Sequence, residues 1–207
     1  MNQGYRKGLL LVISGPAGVG KGSIVRVLLE RNRKMRLSVS ATTRAPRPGE
    51  IDGVHYFFMD EQRFQKMIDN GEFIEYMKVF NTNFYGTPRD FVLKEIEDGH
   101  DVILEIDVQG AMNVRRSFPD AVLVFICPPS MNELKARLVG RGTETPEAIE
   151  TRFATATDEI AMMNRYDYVV LNDVIDAAAT RIENIVSAEK CRASRNSEFI
   201  DNLQGGK

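Results

Sequence analysis

The apolar positions of this chain follow two rhythms. Residues 9–13, 102–106, 121–127 and 168–171 are apolar at nearly every position. Runs that are apolar on both alternating faces predict strands buried on both sides, as in a parallel sheet covered by helices. Between and after them, apolar residues recur at three- and four-residue spacing. That spacing predicts helices at about 22–33, 88–98, 108–117, 130–138, 146–165 and 174–188. Pro88 and Pro146 stand where a first turn tolerates proline, and Asp173 is placed to cap the last long helix. Alternation of strand and helix predicts an α/β fold of the P-loop type, a parallel sheet flanked by helices.

Two segments break the rhythm. Residues 37–87 are aromatic and rich in turns, and predict a small mixed β unit with one helix near 61–69. Residues 139–146 form a Gly-Arg-Gly-Thr loop between two helices. Both read as inserts, where binding residues concentrate. The expected division is a core of 1–36 and 88–207, a lid at about 138–152, and an insert at 37–87. The tail from Cys191 is polar and is expected to fray.

Composition narrows the class. The chain has 207 residues, 43% of them apolar and 27% charged, which suits one globular domain with a full core. A net charge of −2 offers no global attraction to nucleic acid or to a membrane surface. No apolar run approaches the length of a membrane span, and residues 1–7 lack the apolar stretch of a signal peptide. Cys127 and Cys191 are far apart and form no metal-type pair, so a reducing compartment, the cytoplasm, is expected. Cys127 reads as a core thiol, and His55 and His100 are isolated and carry no assigned role.

The candidate chemistry begins at Gly15, Pro16, Ala17, Gly18, Val19, Gly20, Lys21, Gly22 and Ser23. A glycine loop between a buried strand and a helix start is the setting of a P-loop, whose backbone N–H groups cradle phosphate. Lys21 supplies a point charge to the β- and γ-phosphates of a nucleoside triphosphate. Position 22 is Gly where that pattern has a hydroxyl residue; the hydroxyl comes at Ser23, a candidate Mg²⁺ ligand. Arg44 and Arg47, in a proline-containing loop, are spaced to grip one phosphate dianion, with Tyr56 and Tyr85 as phenolic donors. A solvated basic loop is the alternative, since seven basic residues and one acid lie between Arg26 and Arg47.

Glu75 alternates with Ile74 and Tyr76. A carboxylate facing a pocket can accept N1–H and N2–H₂ of guanine, which adenine does not offer. An ordinary exposed strand residue is the competing reading. Ser40 and Thr87 can serve other base edges. Glu105 and Asp107 close a predicted strand beside the P-loop, in position to organise a metal or contact a base. Arg137, Arg141 and Arg152 can offset charge on a transferring phosphoryl group, a role worth ~10³–10⁵ in rate. Pairing with nearby glutamates on a solvated helix face is the alternative.

Taken together, these motifs resemble the guanylate kinase family over about residues 8–188. The resemblance is carried by GPAGVGKGS at 15–23, SVSATTRAPRPGE at 38–50 and DGVHYFF at 52–58. It continues in EFIEY at 72–76, FYGT at 84–87, LEIDVQG at 104–110 and RLVGRGTET at 137–145. It implies a core, a GMP-binding insert and a lid, and transfer from ATP to GMP, with dGMP as a further acceptor and Mg²⁺ as cofactor. Matched position by position, Arg44, Arg47, Tyr56 and Tyr85 hold the GMP phosphate. Ser40, Glu75, Thr87 and Glu105 read guanine, with Asp107 nearby for Mg²⁺ or substrate. Lys21, Arg137, Arg141 and Arg152 stabilise the phosphoryl group in flight, with Arg44 counted as catalytic beside them. Asn172 lies near the adenine of ATP. Ala17 departs from the family's frequent Ser, a small change in a loop that grips through its backbone. Two other classes compete: a non-catalytic interaction module of the same fold, and a P-loop kinase acting on another phosphorylated small molecule. The intact Lys21 and a chain with no room for a second domain weigh against the first, and the residues at 40, 75 and 87 against the second.

Overall fold

The computed structural model describes residues 7–79, 82–140 and 146–205. In chain order the strands are β1 (Leu10–Ser14), β2 (Met35–Leu37), β3 (Ala41–Thr42), β4 (Phe57–Phe58), β5 (Phe73–Val79), β6 (Asn83–Pro88), β7 (Asp101–Glu105), β8 (Val122–Cys127) and β9 (Tyr168–Leu171). The helices are α1 (Lys21–Arg31), α2 (Glu61–Asp69), α3 (Arg89–Glu97), α4 (Val108–Ser117), α5 (Met131–Val139), α6 (Pro146–Ala161), α7 (Ile175–Lys190) and α8 (Ser197–Gly205).

Five parallel strands form the main sheet in the order β2-β7-β1-β8-β9. Strand β1 lies at its centre and is buried on both faces. Leu11 and Ile13 pack against Ile24 and Leu28 of α1 and against Ala178 and Ile182 of α7. Leu10 and Val12 face Val92 and Ile96 of α3 and Ala111 and Val114 of α4. A side chain of this size contributes ~1.5–3 kcal/mol when fully buried, so a strand apolar at every position is stable only between two helical layers.

The second sheet has the order β4-β3-β6-β5 and mixes parallel and antiparallel pairs. Its core is Phe64 of α2, packed on Phe73 and Phe84 with ring centroids 4.5 and 5.4 Å away. One strand of this sheet is fastened to the main body. Ile74 joins the apolar cluster around α3 and α4, and Ser117 Oγ on α4 donates to Ile74 O at 2.6 Å.

Several expectations need correction. The main sheet has a fifth strand, Met35–Leu37, which pairs with β7 through Leu37↔Ile103. Three residues at a sheet edge are too few to show a period. Val174, not Asp173, is the N-cap of α7; Asp173 instead accepts from Val174 N–H and pairs with Arg181 at 2.9 Å. The helix expected to reach residue 165 ends at Ala161, with a 3₁₀ turn over Met163–Arg165. Residues Ser197–Gly205 of the tail form an exposed helix, α8. Arg195 ties it back, donating to the buried carboxylate of Glu189 at 3.2 Å and to Asp120 O at 2.9 Å. Among the described residues no helix is long and apolar enough to cross a membrane.

Candidate active site

The carboxyl ends of β1, β7, β8 and β9 point the same way, and the chain segments leaving β1, β7 and β9 carry most of the candidate residues. In open α/β sheets this is where ligands bind. The loop from Gly15 to Gly20 leaves β1 and enters α1 at Lys21. Gly20 is the N-cap of α1 and has φ 96°, a left-handed value that side-chain-bearing residues avoid. A Cβ there would also stand 2.6 Å from Asn172 Nδ2. Asn172 is 3% exposed and donates from Nδ2 to Val19 O at 2.7 Å. Arg137 reaches the same place, donating to Val19 O at 3.5 Å and Asn172 O at 3.3 Å, with Nε on Glu133 at 3.1 Å. Asn172 and Arg137 therefore brace the loop from behind. Lys21 Nζ folds back to donate to Gly15 O at 2.5 Å and Pro16 O at 3.3 Å. Ser23 sits in the first turn of α1. A Cβ on Gly22 would stand 3.5 Å from Glu105 Oε1, so a side chain at position 22 would fill the space between helix and carboxylate.

Three of the four residues expected to hold a phosphate, Arg44, Tyr56 and Tyr85, come together beside the second sheet. Arg44 Nε donates to Tyr85 Oη at 3.2 Å, and its guanidinium lies 5.5 Å from the Tyr56 ring centroid and 5.8 Å from that of Phe58. The rings of Tyr56 and Tyr85 meet edge to face at 5.9 Å. Burial raises the Tyr56 phenol above its usual range, which keeps it a neutral donor. Glu50, which sequence reasoning missed, organises this group. Its Oε1 accepts from Arg44 at 2.8 Å and its Oε2 from Arg47 N–H at 2.7 Å. Those bonds hold the Glu50 carboxyl at about 2 and raise Arg44 further. The only sequence signal was its place at the end of the Arg-Pro-Gly turn. Arg47 itself is exposed.

Glu75 is 7% exposed. Thr87, directly across the β5–β6 pair, donates from Oγ1 to Glu75 Oε1 at 2.8 Å. Desolvation is the main cause that raises the carboxyl to about 7; the Thr87 bond opposes it and the charge of Asp107 adds to it. Glu75 Oε2 looks toward Gly110, where a Cβ would lie 3.5 Å away. Asp107 caps α4, its Oδ1 accepting from Gly110 N–H at 2.7 Å. Glu105 ends β7 with part of its side chain in solvent. Surrounding protein raises its carboxyl, and Lys21 opposes that shift. Ser40 is half-buried, and its carbonyl accepts from Phe57 N–H at 2.9 Å. Lys21 lies within electrostatic reach of Glu105, and Asp107 within reach of Glu75. Arg152 lies on the exposed side of α6, and Arg141 falls outside the described residues. Among the described residues no group of three or more His, Cys, Asp or Glu could hold a metal.

The guanylate kinase family matches residues 7–189 of this chain. A guanylate kinase of Caldanaerobacter subterraneus subsp. tengcongensis is 51% identical over 94% of each chain. One of Clostridioides difficile is 50% identical over 94% of this chain and 95% of its own. The crystal structure of guanylate kinase from Anaplasma phagocytophilum superposes with a TM-score of 0.78 at 36% identity, covering 97% of this chain and 95% of that one.

Proposed function

The chain belongs to the guanylate kinase family, and on that premise we propose that it transfers the γ-phosphoryl group of ATP to GMP, releasing ADP and GDP, with dGMP as a second acceptor. The observation that carries the choice of base is the buried Glu75 carboxylate, fixed by Thr87 and facing the core across Gly110. A carboxylate accepts both guanine donors. Adenine would leave it desolvated and unpaired, which a buried site penalises strongly.

We assign the roles as follows, those of Arg141 and Arg152 from the family resemblance and not from position. Residues Gly15 to Ser23 bind the ATP phosphates, with Asn172 and Arg137 holding the loop's shape. Arg44, Arg47, Tyr56 and Tyr85 take the GMP phosphate, and Ser40, Glu75, Thr87 and Glu105 the base. Lys21 leaves the loop carbonyls to meet the phosphates. With Arg44, Arg137, Arg141 and Arg152 it offsets charge on the phosphoryl group during an in-line transfer, which needs positioning and charge stabilisation rather than a covalent enzyme intermediate. ATP chemistry implies a divalent cation. Hard oxygen donors at Ser23 and Asp107 fit Mg²⁺, and a site without a protein cage fits it too, since Mg²⁺ takes most ligands from phosphates and water. That ion would neutralise charge on the phosphate oxygens. The second sheet acts as the GMP-binding unit, the segment around 138–152 as a lid, and the cytoplasm as the place of work.

An ADP-release assay over GMP, dGMP, AMP, CMP and UMP tests this reading. Turnover is expected with GMP and dGMP alone. Comparable turnover with AMP or a pyrimidine nucleotide would overturn it.

A further inference from the structure

Strand β5 is interrupted just before Glu75. Phe73 pairs with Pro88 of β6 and Glu75 with Thr87, so two steps along β5 match one along β6, and Ile74 is the extra residue. Bulges of this kind recur where a side chain has to be re-aimed. In a regular strand Phe73 and Glu75 would share a face. Here Phe73 shares a face with Tyr76 instead. Their rings lie 6.3 Å apart, and Tyr76 pairs with Gly86, where a Cβ would stand 2.9 Å from Phe73 and 3.0 Å from Phe64. That face carries the aromatic core under α2. Glu75 turns away from it, toward Gly110 of α4. Ile74 is buried in the apolar cluster around α3 and α4.

Strand β5 is also the edge of its sheet, and α4 takes up carbonyls on its outer side. Ser117 Oγ lies 2.6 Å from Ile74 O, nearer than the two helix carbonyls it also reaches, Asn113 O at 3.1 Å and Val114 O at 3.5 Å. Asn113 Nδ2 donates to Tyr76 O at 3.3 Å, and its Oδ1 accepts from Gln109 and Arg116, which orients the amide. Asn113 and Ser117 are four residues apart and share one face of α4. The carbonyls they take belong to the two residues that flank Glu75. Four helical residues rise about 6 Å and two strand residues about 6.7 Å, so the spacings match.

We infer that the bulge at Ile74, pinned by Asn113 and Ser117, aims Glu75 at the guanine edge, which makes Asn113 and Ser117 positioning residues for base recognition. The inference deepens the proposed reading of Glu75 and rests on it. A carboxylate accepts two donors well only while both oxygens are aimed, since hydrogen bonds weaken steeply with angle. Loss of the bulge would turn Glu75 toward Phe64 and Phe73. The two bonds from α4 oppose that slip.

A double-mutant cycle on the full chain tests this. Asn113→Ala and Ser117→Ala are combined, first with Glu75 intact and then with Glu75→Gln. The readouts are kcat/KM for GMP and Kd for a non-hydrolysable ATP analogue. With Glu75 intact, the pair is expected to lower kcat/KM for GMP about 10-fold, the scale of two hydrogen bonds. With Glu75→Gln the same pair should cost less than about 2-fold, because the carboxylate it aims is already gone. ATP-analogue affinity should be unchanged throughout. A loss of equal size in both backgrounds would reduce the two residues to supports of the sheet and overturn the inference. Normal GMP kinetics with Glu75 intact, or weakened ATP-analogue binding, would overturn it too. If the paired variant fails to fold, Ser117→Ala alone decides in the same cycle, with about a 3-fold loss expected. Normal GMP kinetics in Glu75→Gln by itself would sink the reading of Glu75 and the inference with it. Failure of the Asn113 and Ser117 variants alone would leave that reading standing.

Discussion

At the scale of single residues, the two carboxylates of the proposed GMP site, Glu75 and Glu50, are shifted in opposite directions. Glu75 is raised from 4.5 to about 7. Below about pH 4.5 it is protonated both folded and unfolded and affects stability little. Between 4.5 and 7 the unfolded chain releases the proton and the native one keeps it. Above 7 the native state carries the full penalty, on the order of 3 kcal/mol. The ligand-free protein should therefore lose stability from this group as pH rises through that window. Glu75→Gln should raise Tm at pH 8 by several degrees and lower kcat/KM for GMP by about 100-fold or more, with ATP-analogue affinity unchanged. A variant with normal GMP kinetics or an unshifted Tm would contradict this account. Glu50 is the reverse case, held ionised by Arg44 and by Arg47 N–H. Glu50→Ala frees the Arg44 guanidinium to wander, and KM for GMP should rise about 10-fold with KM for ATP unaffected. Steady-state kinetics with each substrate varied in turn would show it.

Among elements, the second sheet is the weak partner. Its apolar centre is small: Ala41, Phe64 and Phe73 are the buried members, with Phe84 and three methyl-bearing neighbours around them. Phe64→Ala should cost about 3–5 kcal/mol. Because the main sheet has two larger clusters of its own, the loss should fall on one substrate. GMP binding should weaken or vanish while ATP-analogue binding persists, as paired calorimetric titrations would report; equal loss of both would mean that the sheets do not act as separate units. The sequence showed this contrast in part. β1, the glycine loop and α1 are legible because a buried run, a phosphate loop and a helical period stand in direct succession. Helix α2 is legible because Phe64, Met67 and Ile68 recur at helical spacing. Strand β2 is not, since Met35–Leu37 is shorter than any pattern. Nor is the role of Glu50, whose partners are chosen by a loop fold that spacing does not encode. Arg44, Tyr56 and Tyr85 could be named in advance because donors for one phosphate are chemically alike; Asn172 could be named, but not its bond to Val19.

Across the whole molecule, the residues proposed to read guanine and to grip its phosphate have different mechanical attachments. Glu75 stands on β5, which Ile74 and Ser117 fasten to the main body. Arg44 follows β3, on the far side of β6 in the same sheet. Lys21, meanwhile, is turned back onto its own loop. If Arg44 and Lys21 are to meet at one phosphoryl group, the second sheet is expected to swing about β5, with bound phosphates removing the repulsion between the converging cations. Spin labels at Asp69 and Glu147 should report a shorter distance when an adenosine–guanosine bisubstrate analogue is added. Identical distributions with and without it would favour a rigid site.

Base recognition by the Glu75–Thr87 pair, as proposed, would also be audible to the solvent. If guanine is read by an ionised Glu75, whose carboxyl burial raises to about 7, GMP binding near pH 7 is expected to release part of a proton. Each GMP captured then acidifies its surroundings slightly. The heat of binding should differ between phosphate and Tris in proportion to their ionisation enthalpies, and the difference should fade above about pH 8, where the carboxylate is already bare. Heats that are the same in both buffers at pH 7 would show that the base meets an ionised carboxylate from the start.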